Sequence, residues 1–215
     1  MLQPILSHLS RKRIILASGS PRRKEILRNI GLDFEVIPST FEETLDKSSF
    51  DSPQSYVLEN ARRKTFEVKE RLTEQDEMAD LLIGADTVVA LDGQILEKPK
   101  EPEVAFQMLT SLSGRTHFVH TGVVLVASKV NDGKLAFEVN TFNEDTEVTF
   151  GNLTPEIINS YIATGEPLDK AGGYGIQAIG GTLVESIRGD YFNVVGFPLH
   201  HFCKELLSIH QNFWS

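Results

Sequence analysis

The chain has 215 residues, of which 40% are hydrophobic and 24% are charged, and its formal net charge is −9 at pH 7. These values are typical of one globular domain of one or two lobes, and they argue against nonspecific binding to a nucleic acid polymer or an anionic membrane. A polyanionic ligand would therefore need a local basic cleft.

Cysteine content and hydropathy indicate the compartment. Cys203 is the only cysteine, so the chain cannot form an internal disulfide. The sequence has no apolar stretch of about 18 residues, and its first residues lack the charged segment and apolar run of a secretory signal. We therefore expect a cytoplasmic protein.

The first predicted element is a strand–turn–helix unit. An apolar run at residues 14–17 leads into a Ser-Gly-Ser turn, in which Ser20 is a suitable N-cap and Pro21 suits the first helical position. Gly31 suits the left-handed residue that ends a helix. The sequence therefore predicts a helix from Pro21 to Ile30.

Three cations occupy the first turn of this helix. Arg22, Arg23 and Lys24 lie where the helix macrodipole already adds about half a positive charge, and each costs about 0.3–1 kcal/mol unless an anion is bound. Free N–H groups at a helix start, the turn Ser18–Ser20 and two arginines together predict a phosphate cradle. The alternative is a surface helix whose arginines point into solvent.

A polar loop and a second helix follow. The strand pattern at residues 34–37 gives way to a serine-rich loop, in which Glu43 is an ordinary solvent-facing acid on pattern alone. A helix is predicted from Ser52 and Pro53 onward, and Lys64 falls on its apolar stripe. A lysine in that position usually extends its ammonium to solvent, so the pattern by itself leaves the role of Lys64 open.

The run Leu81–Leu91 predicts a strand buried on both faces, because its only charged residue is Asp86. A carboxylate there is unfavourable unless it is paired or coordinates a metal, so Asp86 is the best catalytic candidate. The alternative is an aspartate satisfied by backbone amides at a bulge. Asp92 and Gly93 then predict a hairpin turn, after which the returning strand carries Lys98 toward Asp86.

The rest of the chain predicts an α/β protein with a mixed, strongly twisted β-sheet flanked by helices. Further helices are predicted from Pro102, from Thr154 and after Pro198, and a long hairpin is predicted from strands at residues 117–126 and 135–150. Six glycines between residues 165 and 181 predict sharp turns. Neither a dinucleotide-binding fingerprint nor the lysine-serine motif of a phosphate loop is present, which disfavours a phosphotransferase of that class.

Two groups of titratable residues in the hairpin receive ordinary roles. His117 and His120 do not share one face of a strand, so we predict buried or edge histidines and no two-histidine metal site. Three acids of the second strand are predicted to be solvated edge charges: Glu144, Asp145 and Glu147.

Six segments occur in a set order along the chain: Leu16–Leu27, Gly84–Val89, Glu97–Pro99, Leu112–Gly114, Thr121–Val123 and Glu166–Gln177. Together they resemble the Maf family of nucleoside triphosphate pyrophosphatases, over about residues 13–205. The resemblance implies an elongated two-lobed fold with a central cleft, a homodimer, an N-terminal extension at residues 1–12 and a Maf-like domain at residues 13–210. It leaves open a further C-terminal domain in a longer polypeptide.

The resemblance also implies an activity. A nucleoside triphosphate would be hydrolysed to the monophosphate and pyrophosphate, with a divalent cation, Mg²⁺ or Mn²⁺, held by Asp86 and Glu43. Asp86 would in addition orient or deprotonate the water that attacks the α-phosphorus. The substrate-binding side chains implied by the resemblance are Ser18, Arg22, Arg23, Lys64 and Lys98.

Three positions resemble the base-specificity determinants of the family, namely Arg22, Thr87 and Gln177, and this combination resembles the branch that acts on dTTP, UTP and modified pyrimidine nucleotides. A glutamine offers both a donor and an acceptor to the edge of uracil or thymine. Thr87 would need a bulge or a strand end to reach the substrate, because on a regular strand it points away from Asp86. The rival hypothesis is a non-catalytic nucleotide-binding regulatory module, which would not need a buried Asp86.

Overall fold

Strand β3 is central to the sheet and positions the site. The computed structural model describes residues 2–215, in which one mixed sheet has the strand order β2-β1-β3-β5-β6-β7, with β4 also paired to β3. The seven strands of this range are β1 (Ile14–Leu16), β2 (Glu35–Val36), β3 (Leu81–Leu91), β4 (Gln94–Leu96), β5 (Thr116–Asn131), β6 (Lys134–Phe150) and β7 (Val184–Arg188). Strand β1 is parallel to β2 and β3, and the other pairs are antiparallel.

Helices flank the sheet, so the predicted fold class is confirmed. The helices of the same range are α1 (Leu6–Leu9), α2 (Pro21–Asn29), α3 (Pro53–Glu74), α4 (Pro102–Leu112), α5 (Pro155–Ile162), α6 (Tyr191–Val195) and α7 (Leu199–Asn212). Helix α2 begins at the predicted Pro21 and is capped by the Ser20 side chain, while Gly31 has a φ of 77° just after its end. None of the helices in residues 2–215 combines the length and the apolar character needed to cross a membrane.

A gap in strand pairing lies at the middle of β3. Strand β5 pairs with one edge of β3 from Leu81 to Ala90. The opposite edge is shared by two short strands, because β1 pairs with residues 81–83 and β4 pairs with residues 89–91. Residues 84–88 therefore have a strand neighbour on one edge only. The gap begins next to the turn before α2, because the N–H of Ala17 donates to the Ile83 carbonyl at 2.8 Å.

Helix α3 packs unusually close to the sheet next to this gap. A Cβ atom on Gly84 would lie 1.7 Å from the Thr65 hydroxyl oxygen, and one on Gly122 would lie 2.7 Å from the Cα atom of Leu58. Both positions thus require glycine, since any side chain would push α3 away from β3 and β5. This close packing brings the side chains of α3 to the face of β3 that carries Asp86.

Two hydrophobic cores share the other face of β3. Leu81, Ile83 and Ala85 pack in a cluster with α2 and α7, whereas Val89 and Leu91 pack in a cluster with α4 and α5. Thr87 lies between these two sets on the strand. The division agrees with a molecule of two lobes that β3 connects.

The N-terminal residues are part of the hydrophobic core, and three acids of β6 have side-chain partners. Leu2, Ile5 and Leu9 of the predicted extension are buried in the same cluster as α2 and α7. The prediction of solvated edge charges on β6 holds for Asp145, which is exposed, whereas Glu144 and Glu147 are half-buried. Each acid has a partner, because Glu144 accepts from His201, Asp145 is bonded to His120, and Glu147 pairs with Arg188 of the added strand β7.

Candidate active site

An ion triad lies beside the gap in β3. Asp86 is 7% exposed and lies on the face of β3 that is covered by α3. The ammonium of Lys64, on α3, is 2.8 Å from Asp86 Oδ1 and 2.7 Å from Oε1 of Glu43, which comes from the loop before α3. One cation therefore bridges two carboxylates, and the three residues that the sequence singled out separately are brought together.

The pKa values of Asp86 and Glu43 are shifted in opposite directions. Desolvation raises the pKa of Asp86, and the charge of Glu43 adds to this rise, while Lys64 and Arg23 oppose it without cancelling it. For Glu43 burial also acts upward, but the adjacent Lys64 and the more distant Lys98 bring its pKa below the usual value. Two neighbouring acids with pKa values shifted in opposite directions are a common arrangement in hydrolytic sites, where the more basic one accepts a proton.

The raised pKa of Asp86 predicts a pH effect on stability. The folded state favours the protonated form, so this group's contribution to stability is present below about pH 3.9 and is lost as pH rises through the folded-state pKa. An Asp86→Asn variant cannot lose this contribution. With a chelator present, the free energy of unfolding of the variant should therefore increase relative to that of the wild type as pH rises from about 3.5 to 7. A difference that shrinks over the same range would mean that Lys64 and Arg23 outweigh burial.

The donor set fits a cation that also binds phosphate. Asp86 and Glu43 supply carboxylate oxygens, and no cluster of three or more His, Cys, Asp or Glu side chains in residues 2–215 is arranged to hold a metal by itself. Mg²⁺ is commonly held by one or two carboxylates, with substrate phosphates and water completing its shell. The bridging position of the Lys64 ammonium shows that both carboxylates already face one common cation.

Arg23, one of the predicted phosphate-binding residues, uses most of its donors within the protein. Its side chain is 8% exposed, and Nε donates to the Gly196 carbonyl at 2.9 Å. The terminal nitrogens donate to Ser18 Oγ at 3.0 Å, to the Ala85 carbonyl at 2.8 Å and to Thr87 Oγ1 at 2.9 Å. Four of its five N–H donors are therefore used within the protein. Arg23 ties the start of α2 to the unpaired edge of β3, so its removal is expected to reduce stability.

Thr87 does not meet the condition set for a contact with the base. The pairing of β3 with β5 is regular through Ala90, without a bulge, so Thr87 points to the face opposite Asp86. Its hydroxyl is within 2.9 Å of the Thr121 hydroxyl, accepts from Arg23, and donates to the Gly196 carbonyl at 3.3 Å. The geometry makes Thr87 a support for Arg23.

Arg22 and Lys98, the remaining predicted cations, are available to bind a ligand. Arg22 is half-buried and Lys98 is exposed, and neither makes a side-chain hydrogen bond to any of the residues that the structure describes. The hydrogen bond from Lys170 chiefly lowers the pKa of Asp169, and the nearby charge of Arg22 contributes to the same effect. Asp169 belongs to the 3₁₀ turn Glu166–Asp169.

Gln177 lies in a tight glycine-rich turn. Its side chain is exposed and has no hydrogen-bonding partner within residues 2–215, so its amide is available. Sequence reasoning missed the residue that holds this turn, Glu166, which accepts backbone N–H groups from Ile179 and Gly180. Its only signal was an acid placed shortly before a segment dense in glycine, whose N–H groups need acceptors.

The chain is similar to several known proteins. A family model described as Maf-like protein matches residues 13–209. The chain is 53% identical over 98% of its length to a human protein named probable bifunctional dTTP/UTP pyrophosphatase/methyltransferase, of which it spans 34%. It is 47% identical to the dTTP/UTP pyrophosphatases of Clostridium perfringens and Bacillus cytotoxicus, over 90% and 91% of this chain and 95% and 94% of theirs.

Proposed function

Because the chain belongs to the Maf family, we propose that it hydrolyses dTTP and UTP to the nucleoside monophosphate and pyrophosphate. The observation that carries the proposal is the buried Asp86, whose pKa is raised and whose carboxylate shares one cation with Glu43 at the gap in β3. Such a group can accept a proton from water near neutral pH more readily than an ordinary aspartate does.

The chemistry assigns a step to each side chain. The triphosphate is held by the N–H groups at the start of α2 and by the cations Arg22, Lys64 and Lys98. Asp86 takes a proton from the attacking water, whose oxygen forms a bond to the α-phosphorus. The bond between that phosphorus and the oxygen that bridges it to the β-phosphorus breaks, and pyrophosphate leaves.

We include a divalent cation in the proposal, Mg²⁺ or Mn²⁺, held by Asp86 and Glu43. Bound there, it would neutralise phosphate charge and increase the acidity of water. The ammonium of Lys64, which lies beside both carboxylates, would then bind phosphate oxygens in their place. The test is release of pyrophosphate from a panel of nucleoside triphosphates with Mg²⁺, with Mn²⁺ and with a chelator. Activity in the chelator would exclude the cation from the proposal, and no release from any nucleotide would refute the proposal and favour a binding module.

The pyrimidine preference is assigned to Gln177. Its amide can donate to the O4 carbonyl of uracil or thymine and accept from N3–H. Thr87 is not included, because its hydroxyl faces away from Asp86 and is bonded to Arg23. A homodimer and a cytoplasmic location stay predictions; the mass of the protein in solution and its distribution in cells would test them.

We expect Gln177→Glu to reduce kcat/KM for UTP relative to CTP by at least about fivefold, which is roughly 1 kcal/mol. The substitution removes the amide donor and places an acceptor against O4, whereas the N4 amine of cytosine is a donor. The measurement is the ratio of the two kcat/KM values in wild type and variant. Gln107→Glu, at an exposed position of α4, controls for the added charge. An unchanged ratio would mean that Gln177 does not contact the base.

A further inference from the structure

The carboxylate of Glu166 holds the far end of the turn that carries Gln177. Oε1 of Glu166 accepts from the N–H of Gly180 at 3.0 Å, and Oε2 accepts from the N–H of Ile179 at 3.2 Å. Oε1 also accepts from the hydroxyl of Tyr161 at 2.9 Å. Three donors from two separate segments therefore converge on one side chain.

Tyr161 connects Glu166 to the near end of the turn, and we call these two side chains the clamp. Its hydroxyl oxygen accepts from the N–H of Gly175 at 3.2 Å while its proton goes to Glu166. Burial, followed by the hydrogen bond to Glu166, raises the pKa of Tyr161 well above its usual range, so the hydroxyl keeps its proton. The two ends of the turn, Gly175 and Gly180, are thus joined through Tyr161 and Glu166.

Residues 175–178 make few hydrogen bonds with one another, whereas Ile179 and Gly180 begin the 3₁₀ helix Ile179–Leu183. The Ala178 N–H to Gly175 carbonyl contact is long, at 3.5 Å, and no strand ladder includes these residues. The ends approach so closely that a Cβ atom on Gly180 would lie 2.4 Å from the Tyr161 hydroxyl oxygen and 2.8 Å from the Gly175 carbonyl oxygen. A turn this tight, with few internal hydrogen bonds, depends on the side chains that bind its N–H groups.

We propose that Glu166 is a positioning residue for base discrimination. It fixes the turn 175–180, at whose exposed apex Gln177 presents its amide, and so sets where the donor and the acceptor meet the base. Glu166 belongs to the 3₁₀ turn Glu166–Asp169, so the clamp joins this turn to the segment that carries Gln177. This inference rests on the proposed pyrimidine nucleotide hydrolysis.

The first test is the Glu166→Gln variant. Its side-chain NH₂ group would meet backbone donors, so one bond to Ile179 or Gly180 is lost and replaced by donor–donor repulsion. We expect kcat/KM for UTP relative to CTP to fall by about threefold or more, mainly through KM for UTP. Amide hydrogen exchange should become faster at Gly175, Ile179 and Gly180. Glu156→Gln, on the exposed side of α5, should change neither quantity.

A double variant shows whether Glu166 acts through Gln177. Gln177→Ala alone should lower the ratio of kcat/KM for UTP to that for CTP. Adding Glu166→Gln should lower it no further, because both substitutions act on the same interaction, the one between Gln177 and the base. If Glu166→Gln does not fold, Tyr161→Phe removes the hydroxyl of the clamp alone and should reduce the ratio in the same direction.

Two results would overturn the inference while leaving the proposed function intact: an unchanged UTP to CTP ratio in Glu166→Gln, whether or not activity falls equally on both nucleotides, or a further fall in the double variant. A wild-type protein that hydrolyses neither nucleotide would instead refute the proposed function, and the inference with it.

Discussion

The Asp86→Asn variant is expected to fold normally and to lose about 10²–10⁴ in turnover of UTP, which is the usual contribution of a general base. The loss would be larger if the carboxylate also holds a cation. We expect this loss because Asn has nearly the same shape as Asp but can neither accept the proton nor neutralise the charge of the Lys64 ammonium, which lies 2.8 Å from Asp86. The measurement is kcat for pyrophosphate release, with circular dichroism and thermal unfolding as the check on folding.

A matched control separates charge removal from loss of the site. Asp51→Asn changes an exposed carboxylate without a side-chain partner in the described residues, and its turnover should equal that of the wild type. Retention by folded Asp86→Asn of more than about a tenth of wild-type turnover, a loss under 1.4 kcal/mol, would show that Asp86 is neither the base nor a ligand for the catalytic cation.

Arg23→Ala and Arg22→Ala should behave very differently although the two arginines are adjacent. Removing Arg23 leaves the buried Ala85 carbonyl without this donor, and the Gly196 carbonyl keeps only the 3.3 Å hydrogen bond from Thr87. At about 1–3 kcal/mol for an unsatisfied buried group, together with the other hydrogen bonds of Arg23 that are lost, we expect a loss of about 3 kcal/mol in the free energy of unfolding. In a chain of this size that loss lowers Tm by about 6–12 °C.

Arg22→Ala should leave Tm unchanged or slightly raised. Arg22 makes no side-chain hydrogen bond within residues 2–215, and its removal relieves about 0.3–1 kcal/mol of repulsion at the start of α2. Its effect should be a higher KM for the nucleotide. Arg23→Lys is the informative companion, since it keeps the charge but not the planar set of donors, and it should be nearly as unstable as Arg23→Ala. Equal Tm values for the two alanine variants would contradict the structural role of Arg23.

Local sequence chemistry was sufficient to predict the elements that carry the site. Ser20 and Pro21 mark the start of α2 because a cap and a fixed φ act within one turn of chain. The uninterrupted apolar run predicted the whole of β3, from Leu81 to Leu91, and singled out Asp86 as its one charged residue. Such signals depend on neighbours a few positions away, which the sequence shows directly.

The direction of individual side chains could not be predicted in the same way. Arg22 and Arg23 are about 100° apart on one helix, and which of them turns inward depends on a carbonyl at Gly196, far along the chain. Thr87 was placed at the base by resemblance, but the regular register of β3 and β5 directs it to the opposite face. The clamp at Glu166 depends on N–H groups that become available only after the glycine-rich segment has folded.

The most direct test of the central claim is hydrolysis of UTP in ¹⁸O-labelled water, followed by mass analysis of both products. The mechanism requires that the water activated by Asp86 attacks the α-phosphorus, because the leaving group is pyrophosphate. We therefore expect one heavy oxygen in uridine monophosphate and none in pyrophosphate. Label in pyrophosphate, or release of inorganic phosphate as the first product, would place the attack on another phosphorus atom and contradict the account of this site.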